Sequence, residues 1–212
     1  MKPLIFDMDG VLINTEPLHY RLWKQVIGEL GVEIDYDRYQ HCIGSTVSFF
    51  FGLIKENYGI DLEAHPEARV RFDELKSEYL RENGVPQTPG ACETIHSLYD
   101  EGYVMAVASS SPEFYIKKQL DMIGISGCFR VLVSAESIAR PKPAPDVFLA
   151  AARALRVPAG SCVVIEDSGN GVLAAKAAGM RCLGFANPDS GDQDLTPADE
   201  TFYPFEKLKS LL

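Results

Sequence analysis

Short apolar segments alternate with longer segments of helical periodicity along most of this chain. The apolar segments are rich in Val, Ile, Leu and Phe, a composition typical of strands buried on both faces of a parallel sheet. The predicted strands are Pro3–Phe6, Tyr103–Ala108, Arg130–Ser134, Cys162–Ile165 and Arg181–Phe185. The helical patterns between the last four are Pro112–Ile123, Pro145–Leu155 and Gly169–Ala178. This alternation predicts an α/β fold, a Rossmann-like parallel sheet with crossover helices.

The stretch from Thr15 to about Gly84 breaks this alternation, because it contains no convincing strand. Its apolar residues recur every four positions, which is typical of one helical face. The residues of that face are Leu18, Leu22, Val26 and Leu30, and further helical patterns span Ser48–Tyr58 and Pro66–Leu80. We therefore predict an inserted all-helical cap of residues 15–85 in a core formed by residues 1–14 and 86–212. The predicted hinges are Ile13–Glu16 and Gly84–Gly90, and the polar tail Ala186–Pro204 precedes a closing helix, Phe205–Leu212.

Composition and charge exclude several classes of protein. With 46 % hydrophobic residues in 212, the chain can bury a core and is not mainly disordered. Its 30 acidic and 20 basic residues give a net charge of −10, which argues against nucleic acid or an anionic membrane as a partner. Five scattered cysteines form no C-x-x-C motif, and acidic Asp7 and Asp9 interrupt the apolar start of the chain. These features predict a cytoplasmic protein.

Four polar motifs each follow a predicted strand, and each also has a purely structural interpretation. Asp7-Met8-Asp9-Gly10 places two carboxylates on one side of an extended chain, or forms a simple turn. Ser109-Ser110-Ser111-Pro112 forms an anion cradle, or caps a helix. The segment Arg140–Asp146 holds Lys142 among three prolines, or is a rigid surface loop. Glu166-Asp167-Ser168-Gly169 is a pair of acids suited to a cation, or a capped helix start.

The four motifs together favour chemistry over structure. Carboxyl ends of parallel strands meet at one edge of a sheet, which is where such folds bind ligands. The motifs would bring two carboxylates, an anion cradle, a lysine and an acid pair to that edge. This combination predicts Mg²⁺-assisted transfer of a phosphoryl group.

With these motifs the sequence resembles the haloacid dehalogenase superfamily, in the branch of β-phosphoglucomutase and the sugar-phosphate phosphatases. The resemblance covers essentially the whole chain and implies a Rossmann-like core with a helical cap. It implies that Asp7 is the nucleophile, which takes the phosphoryl group as an aspartyl-phosphate. Asp9 would be the general acid and then the general base. Ser109 and the N–H of Ser110 would hold the phosphoryl oxygens, and Lys142 would neutralise charge beside Asp7.

The same resemblance implies the cofactor and the cap residues. Mg²⁺ would be bound by Asp7, Asp167 and the carbonyl of Asp9, with Glu166 acting through coordinated water. Substrate contacts are predicted for a larger set. That set is Thr15, His19 and Trp23 on the first cap helix, Gly44, Ser45 and Thr46 further along the cap, and Ser111 of the serine loop. Each cap position has a structural alternative, as a partly buried histidine, a core anchor or a helix cap.

Two departures from the mutases favour hydrolysis. The mutases carry a basic residue after a cap glycine, whereas residues 44–48 here contain no Arg or Lys. They also place a basic and an amide residue after the serine loop, where this chain has Pro112 and Glu113. We therefore predict a phosphatase for a small phosphorylated metabolite, a sugar phosphate. A hexose-phosphate mutase and a non-catalytic phosphometabolite-binding protein are the alternatives. We expect a monomer, with a dimer as the alternative.

Overall fold

A six-stranded, all-parallel sheet forms the centre of the α/β part of the molecule. The computed structural model describes residues 3–43 and 47–212. The strands are β1 (Leu4–Phe6), β2 (Met105–Ser109), β3 (Val131–Ser134), β4 (Val163–Glu166), β5 (Arg181–Phe185) and β6 (Glu200–Phe202). Their order in the sheet is β3-β2-β1-β4-β5-β6, which confirms the predicted Rossmann-like α/β fold.

The central position of β1 determines where the polar motifs meet. In this strand Ile5 pairs with Ala106 of β2 on one side and with Val164 of β4 on the other. All three strands are buried on both faces, as their unbroken apolar sequences predicted. The residues that follow β1, β2 and β4 therefore emerge side by side at one edge of the sheet.

Helices cover both faces of this sheet. They are α5 (Ala91–Asp100), α6 (Glu113–Met122), α7 (Asp146–Leu155), α8 (Gly169–Ala177) and the short α9 (Leu208–Leu211). Helix α7 packs against β2 and β3 through Val147, Phe148 and Ala151, which are fully buried. These residues recur at helical spacing, so one face of α7 meets the sheet and the other meets solvent.

A second compact unit consists of residues 15–84 together with 189–192, and the α/β unit holds the remainder of the chain. We call it the helical unit. Its helices are α1 (Glu16–Glu29), α2 (Tyr36–Tyr39), α3 (Val47–Tyr58) and α4 (Pro66–Asn83). Within it α1 packs against α4, and Trp23 stacks on Phe72 with ring centroids 4.4 Å apart. No helix in the described part of the chain is long and apolar enough to cross a membrane.

Three elements of the structure have no counterpart among the predicted ones: the four-residue helix α2, helix α5 and strand β6. Strand β6 lies in the polar tail and has little strand pattern, because Glu200 and Thr201 are exposed and Phe202 alone is buried. Its backbone pairs with β5, so the sheet rather than local sequence defines this edge strand. Helix α5 does carry a helical pattern, since Ala91, Ile95 and Leu98 form its buried face, and that signal was overlooked.

Candidate active site

A buried ion cluster lies at the carboxyl edge of the sheet. The Lys142 Nζ donates to Asp7 Oδ1 at 2.5 Å and to Glu166 Oε1 at 2.7 Å. The three side chains are 8, 10 and 1 % exposed, so solvent barely screens their charges. The Lys142 Nζ also lies 4.8 Å from the ring centre of Phe148, a cation–π contact that fixes the lysine against α7. Three of the four predicted motifs thus meet at one ammonium.

The cluster perturbs the pKa values of its members. Burial raises the pKa of Asp7 to about 7, and the charges of Glu166 and Asp9 add to that effect against the opposing charge of Lys142. Burial alone would lower the pKa of Lys142, but the carboxylates of Asp7 and Glu166 outweigh it and hold that pKa above its ordinary value. The ammonium is therefore charged at neutral pH, while Asp7 is poised between its two protonation states.

The serine loop after β2 holds the second carboxylate of the first motif. The Ser111 hydroxyl donates to Asp9 Oδ2 at 3.0 Å, and the Ser111 N–H donates to the Ser109 hydroxyl at 3.0 Å. Ser109 is 1 % exposed, whereas Ser110 is exposed to solvent. The geometry thus places Ser111 against Asp9, so the predicted substrate contact of Ser111 competes with a bond inside the site.

Close approaches to two glycines position the acids after β4. A Cβ on Gly10 would lie 1.9 Å from Asp167 Oδ2, so the Asp167 carboxylate packs directly on the residue that follows Asp9. Gly10 also has φ of +81°, a conformation that glycine adopts readily. A Cβ on Gly171 would lie 1.7 Å from Glu166 Oε1, so this glycine is required for the Glu166 side chain to fit.

Both carboxylate oxygens of Glu166 accept hydrogen bonds from protein groups. Its Oε1 accepts from Lys142, and its Oε2 accepts from both the N–H and the hydroxyl of Ser168, at 2.7 and 2.9 Å. Glu166 thus links Lys142 to the start of α8, and its predicted contact with Mg²⁺ through water stays a prediction. Among the described residues, no three His, Cys, Asp or Glu side chains form a group that could by itself hold a metal ion.

The predicted residues of the helical unit have separate environments within it. Trp23 is 5 % exposed and contacts the rings of Phe50, Phe51 and Phe72, so it packs in the core of the helical unit, and its predicted substrate contact stays a prediction. Thr15 is fully buried. His19 Nδ1 lies 3.7 Å from Glu16 Oε1.

Three predicted substrate contacts concern the segment between residues 43 and 47. Gly44, Ser45 and Thr46 lie outside the described residues. Their predicted substrate contacts stay predictions.

Two buried polar residues beside the site were not singled out from the sequence. Ser134, at the end of β3, donates to the Ser111 carbonyl at 2.8 Å. Asn187, two residues after β5, donates to the Gly10 carbonyl at 2.8 Å. Both follow strands of the parallel sheet, so the rule that located the four motifs extends to them. The sequence signals that could have indicated them are a polar residue at the end of β3 and an amide residue just after β5.

Comparison with known proteins agrees with this geometry. Residues 4–185 match the model of the haloacid dehalogenase-like hydrolase family, and the chain belongs to that family. It is 34 % identical over 177 residues to the fructose-1-phosphate phosphatase of Escherichia coli, covering 84 % of this chain and 92 % of that enzyme. The match confirms the predicted resemblance and the predicted enzyme class, a haloacid dehalogenase-like phosphoric monoester hydrolase.

Two other similarities differ in extent. The chain is 41 % identical over 191 residues to SUPPRESSOR OF QUENCHING 1 of Arabidopsis thaliana, which covers 86 % of this chain but 18 % of that much longer protein. Among solved structures, β-phosphoglucomutase from Clostridium difficile superposes with a TM-score of 0.77 at 24 % identity, covering 99 % of this chain and 96 % of that one. At this identity the likeness concerns the fold.

Proposed function

We propose that this chain is a Mg²⁺-dependent phosphatase that hydrolyses a small sugar phosphate through an aspartyl-phosphate on Asp7. The observation that carries the proposal is the contact of Lys142 with Asp7 beside the Asp9–Ser111 pair, at the carboxyl edge of one sheet. The similarity to an enzyme named for fructose 1-phosphate supports a sugar phosphate as the substrate class.

The proposed reaction has two steps. In both, Asp7 carries or receives the phosphoryl group and Asp9 transfers a proton. An Asp7 oxygen bonds to phosphorus while the bond from phosphorus to the sugar oxygen breaks, and Asp9 gives its proton to that oxygen. A water oxygen then bonds to phosphorus as the Asp7–phosphorus bond breaks, and Asp9 takes a proton from this water. The products are the free sugar and inorganic phosphate, and Asp9 is protonated again for the next turnover.

Lys142 and the serine loop would offset the charge that this reaction brings together. The phosphoryl oxygens and the Asp7 carboxylate repel one another, and the Lys142 ammonium already lies between Asp7 and Glu166. Ser109 and the N–H of Ser110 would hold the transferring oxygens. Burial raises the pKa of Asp7 to about 7 and so opposes the charged form that a nucleophile needs. A nucleophilic Asp7 therefore requires a partner that favours its charged form.

The residues beside Asp7 fit a divalent cation of the magnesium type. Asp167 packs on Gly10, the residue directly after Asp9, so its carboxylate lies beside the segment that carries Asp7 and Asp9. Mg²⁺ typically takes one or two carboxylates, keeps several waters and binds substrate phosphate, so it does not need a cage of three acidic side chains. Asp7, Asp167 and the Asp9 carbonyl would hold the ion, with Glu166 acting through water. When bound, the ion supplies positive charge to the phosphoryl oxygens.

The test is phosphate release from a panel of hexose 1- and 6-phosphates, pentose phosphates, glycerol phosphates and nucleotides. We expect Mg²⁺-dependent release that chelation abolishes and that Asp7→Asn removes. The matched control is Asp37→Asn, which makes the same chemical change on the exposed α2 helix and should retain activity. Mass spectrometry of the quenched wild type should find one phosphoryl group on the peptide that contains Asp7.

Three results would contradict the proposal in different ways. Conversion of a hexose 1-phosphate into its 6-phosphate without phosphate release would favour a mutase. Binding of sugar phosphates without turnover would favour a phosphometabolite-binding protein. Full activity in Asp7→Asn would remove Asp7 from the reaction and leave the family assignment intact.

A further inference from the structure

Asn187 joins two points of the loop that carries Asp9. It is 8 % exposed, and its Nδ2 donates to the Gly10 carbonyl at 2.8 Å and to Asn14 Oδ1 at 3.3 Å. Its own N–H donates to the Phe185 carbonyl at 2.8 Å, a tight turn directly after β5. All of these residues belong to the α/β unit. One buried amide thus spans from the end of β5 to the segment after β1.

The loop between Gly10 and Asn14 is compact by itself. The N–H of Gly10 donates to the Ile13 carbonyl at 2.8 Å, and the N–H of Leu12 donates to the Met8 carbonyl at 2.8 Å. Asn14 is the last residue of the first α/β segment, directly before the helical unit begins. Asn187 therefore holds both ends of a closed loop, one next to Asp9 and one at the boundary of the two units.

Gly10 is held by a second side chain as well. The Asp167 carboxylate fills the space that a Cβ on Gly10 would occupy, while the Gly10 carbonyl accepts from Asn187. Both atoms that the Asn187 amide contacts on this loop are oxygens, so the side chain at position 187 must be a hydrogen-bond donor. An acceptor of the same size would face two other acceptors in a buried place, which is unfavourable.

We infer that Asn187 is a positioning residue, which holds the Asp9–Gly10 backbone in register with Asp7 and Asp167. This inference rests on the proposed phosphoryl transfer, because its consequence for rate comes through Asp9. The bonds of the Asn187 amide to the Gly10 carbonyl and to Asn14 Oδ1 lie on the loop itself. Asn187 acts by fixing the loop from which Asp9 projects, and proton transfer depends steeply on that placement.

The decisive variant is Asn187→Asp, which keeps the size of the side chain and removes both donors. Residues that orient functional groups typically cost about 10–100-fold when they are changed, so we expect kcat to fall by about that factor. KM should change little, because the variant moves a proton-transfer group rather than a phosphate contact. Asn83→Asp is the matched control, since the Asn83 amide donates to the Tyr79 carbonyl at the exposed end of α4.

Hydrogen–deuterium exchange of residues 8–14 provides a readout that needs no activity. We expect faster exchange there in Asn187→Asp than in the wild type, and no change in Asn83→Asp. If Asn187→Asp fails to fold, Asn14→Leu removes one of the two bonds, and it should lower kcat and loosen the same loop to a smaller extent.

The outcomes separate this inference from the proposed function. An active wild type with unchanged kcat in Asn187→Asp overturns the positioning role alone, and unchanged exchange in residues 8–14 overturns the contact itself. A rise in KM with constant kcat also overturns it, because it indicates a substrate contact. A wild type that releases no phosphate overturns the proposed function, and the positioning role with it.

Discussion

Removal of the Lys142 ammonium should destabilise the fold strongly, because it would leave two buried carboxylates without their cation. Nζ lies 2.5 and 2.7 Å from oxygens of Asp7 and Glu166, which are 10 and 1 % exposed. Lys142→Met keeps an unbranched side chain, one atom shorter, and removes the charge. Removing one partner from a buried ion pair costs about 3–5 kcal/mol. For a protein of this size that corresponds to a fall in melting temperature of about 6–20 °C.

The loss of stability in Lys142→Met should increase as the pH rises. A carboxyl group whose native pKa is raised above its unfolded value, as that of Asp7 is, binds its proton more tightly in the folded state. It therefore favours folding at low pH, and this advantage is lost as pH rises through the native pKa. Without the ammonium, the pKa of Asp7 should rise further, because the charge of Lys142 opposes the effect of burial on it. The difference between Lys142→Met and wild type should be large at pH 8 and much smaller at pH 5.

Thermal and urea unfolding of the metal-free proteins at both pH values would measure this effect. The matched control is Lys176→Met, since Lys176 binds Asp199 at 2.6 Å but the two side chains are 36 and 38 % exposed. Exposed pairs contribute about 0–1 kcal/mol, so that variant should melt within a few degrees of wild type at either pH. Equal losses in the two variants would refute the reasoning, because they would mean that solvent screens the buried cluster as well.

Three further variants probe packing at and away from the site. Gly171→Ala should lower the free energy of unfolding by about 1–3 kcal/mol, because the new methyl would overpack the site and displace Glu166. Gly52→Ala should raise it by about 0.5–1 kcal/mol, because Gly52 lies within a helix and has open space around it. Urea unfolding would decide, and a stabilised Gly171→Ala would contradict the contact. Gln119→Met should raise the melting temperature by about 2–4 °C, since Gln119 is 1 % exposed and its Oε1 has no hydrogen-bond partner within the described residues. Differential scanning calorimetry would measure this, and a lower melting temperature would mean that the amide is satisfied in solution.

The fold could be predicted wherever local sequence and tertiary packing agree. Strands β1, β2 and β4 are nearly continuous apolar runs because both of their faces are buried, so their sequence reflects their environment directly. Strand β6 could not be found in this way, since two of its three residues face solvent and its identity depends on pairing with β5. Short edge strands of this kind are defined by a neighbour that is distant in sequence.

At the site, the sequence located the groups but not their partners. Parallel topology predicts that the carboxyl ends of the strands meet at one edge, and Asp7 after β1, Lys142 after β3 and Glu166 at the end of β4 do meet there. The hydrogen bond of Ser111 to Asp9 and the double contact of Ser168 with Glu166 depend on side-chain geometry within a few ångströms. Residue spacing along the chain carries no information at that scale. Resemblance to a family assigns roles to these positions, while the choice of partners comes only from packing.

The local balance of charge explains why the proposed chemistry would need a cation. Asp7, Asp9, Glu166 and Asp167 bring four carboxyl groups to this edge of the sheet, whereas Lys142 brings one ammonium that two of them already bind. An anionic phosphate that approaches this site meets surplus negative charge, on a chain whose overall charge is −10. The raised pKa of Asp7 expresses the same surplus, since burial and its acidic neighbours favour the protonated form. A divalent cation beside Asp7 would remove both obstacles at once, because it attracts the phosphate and favours the ionised carboxylate that must attack it.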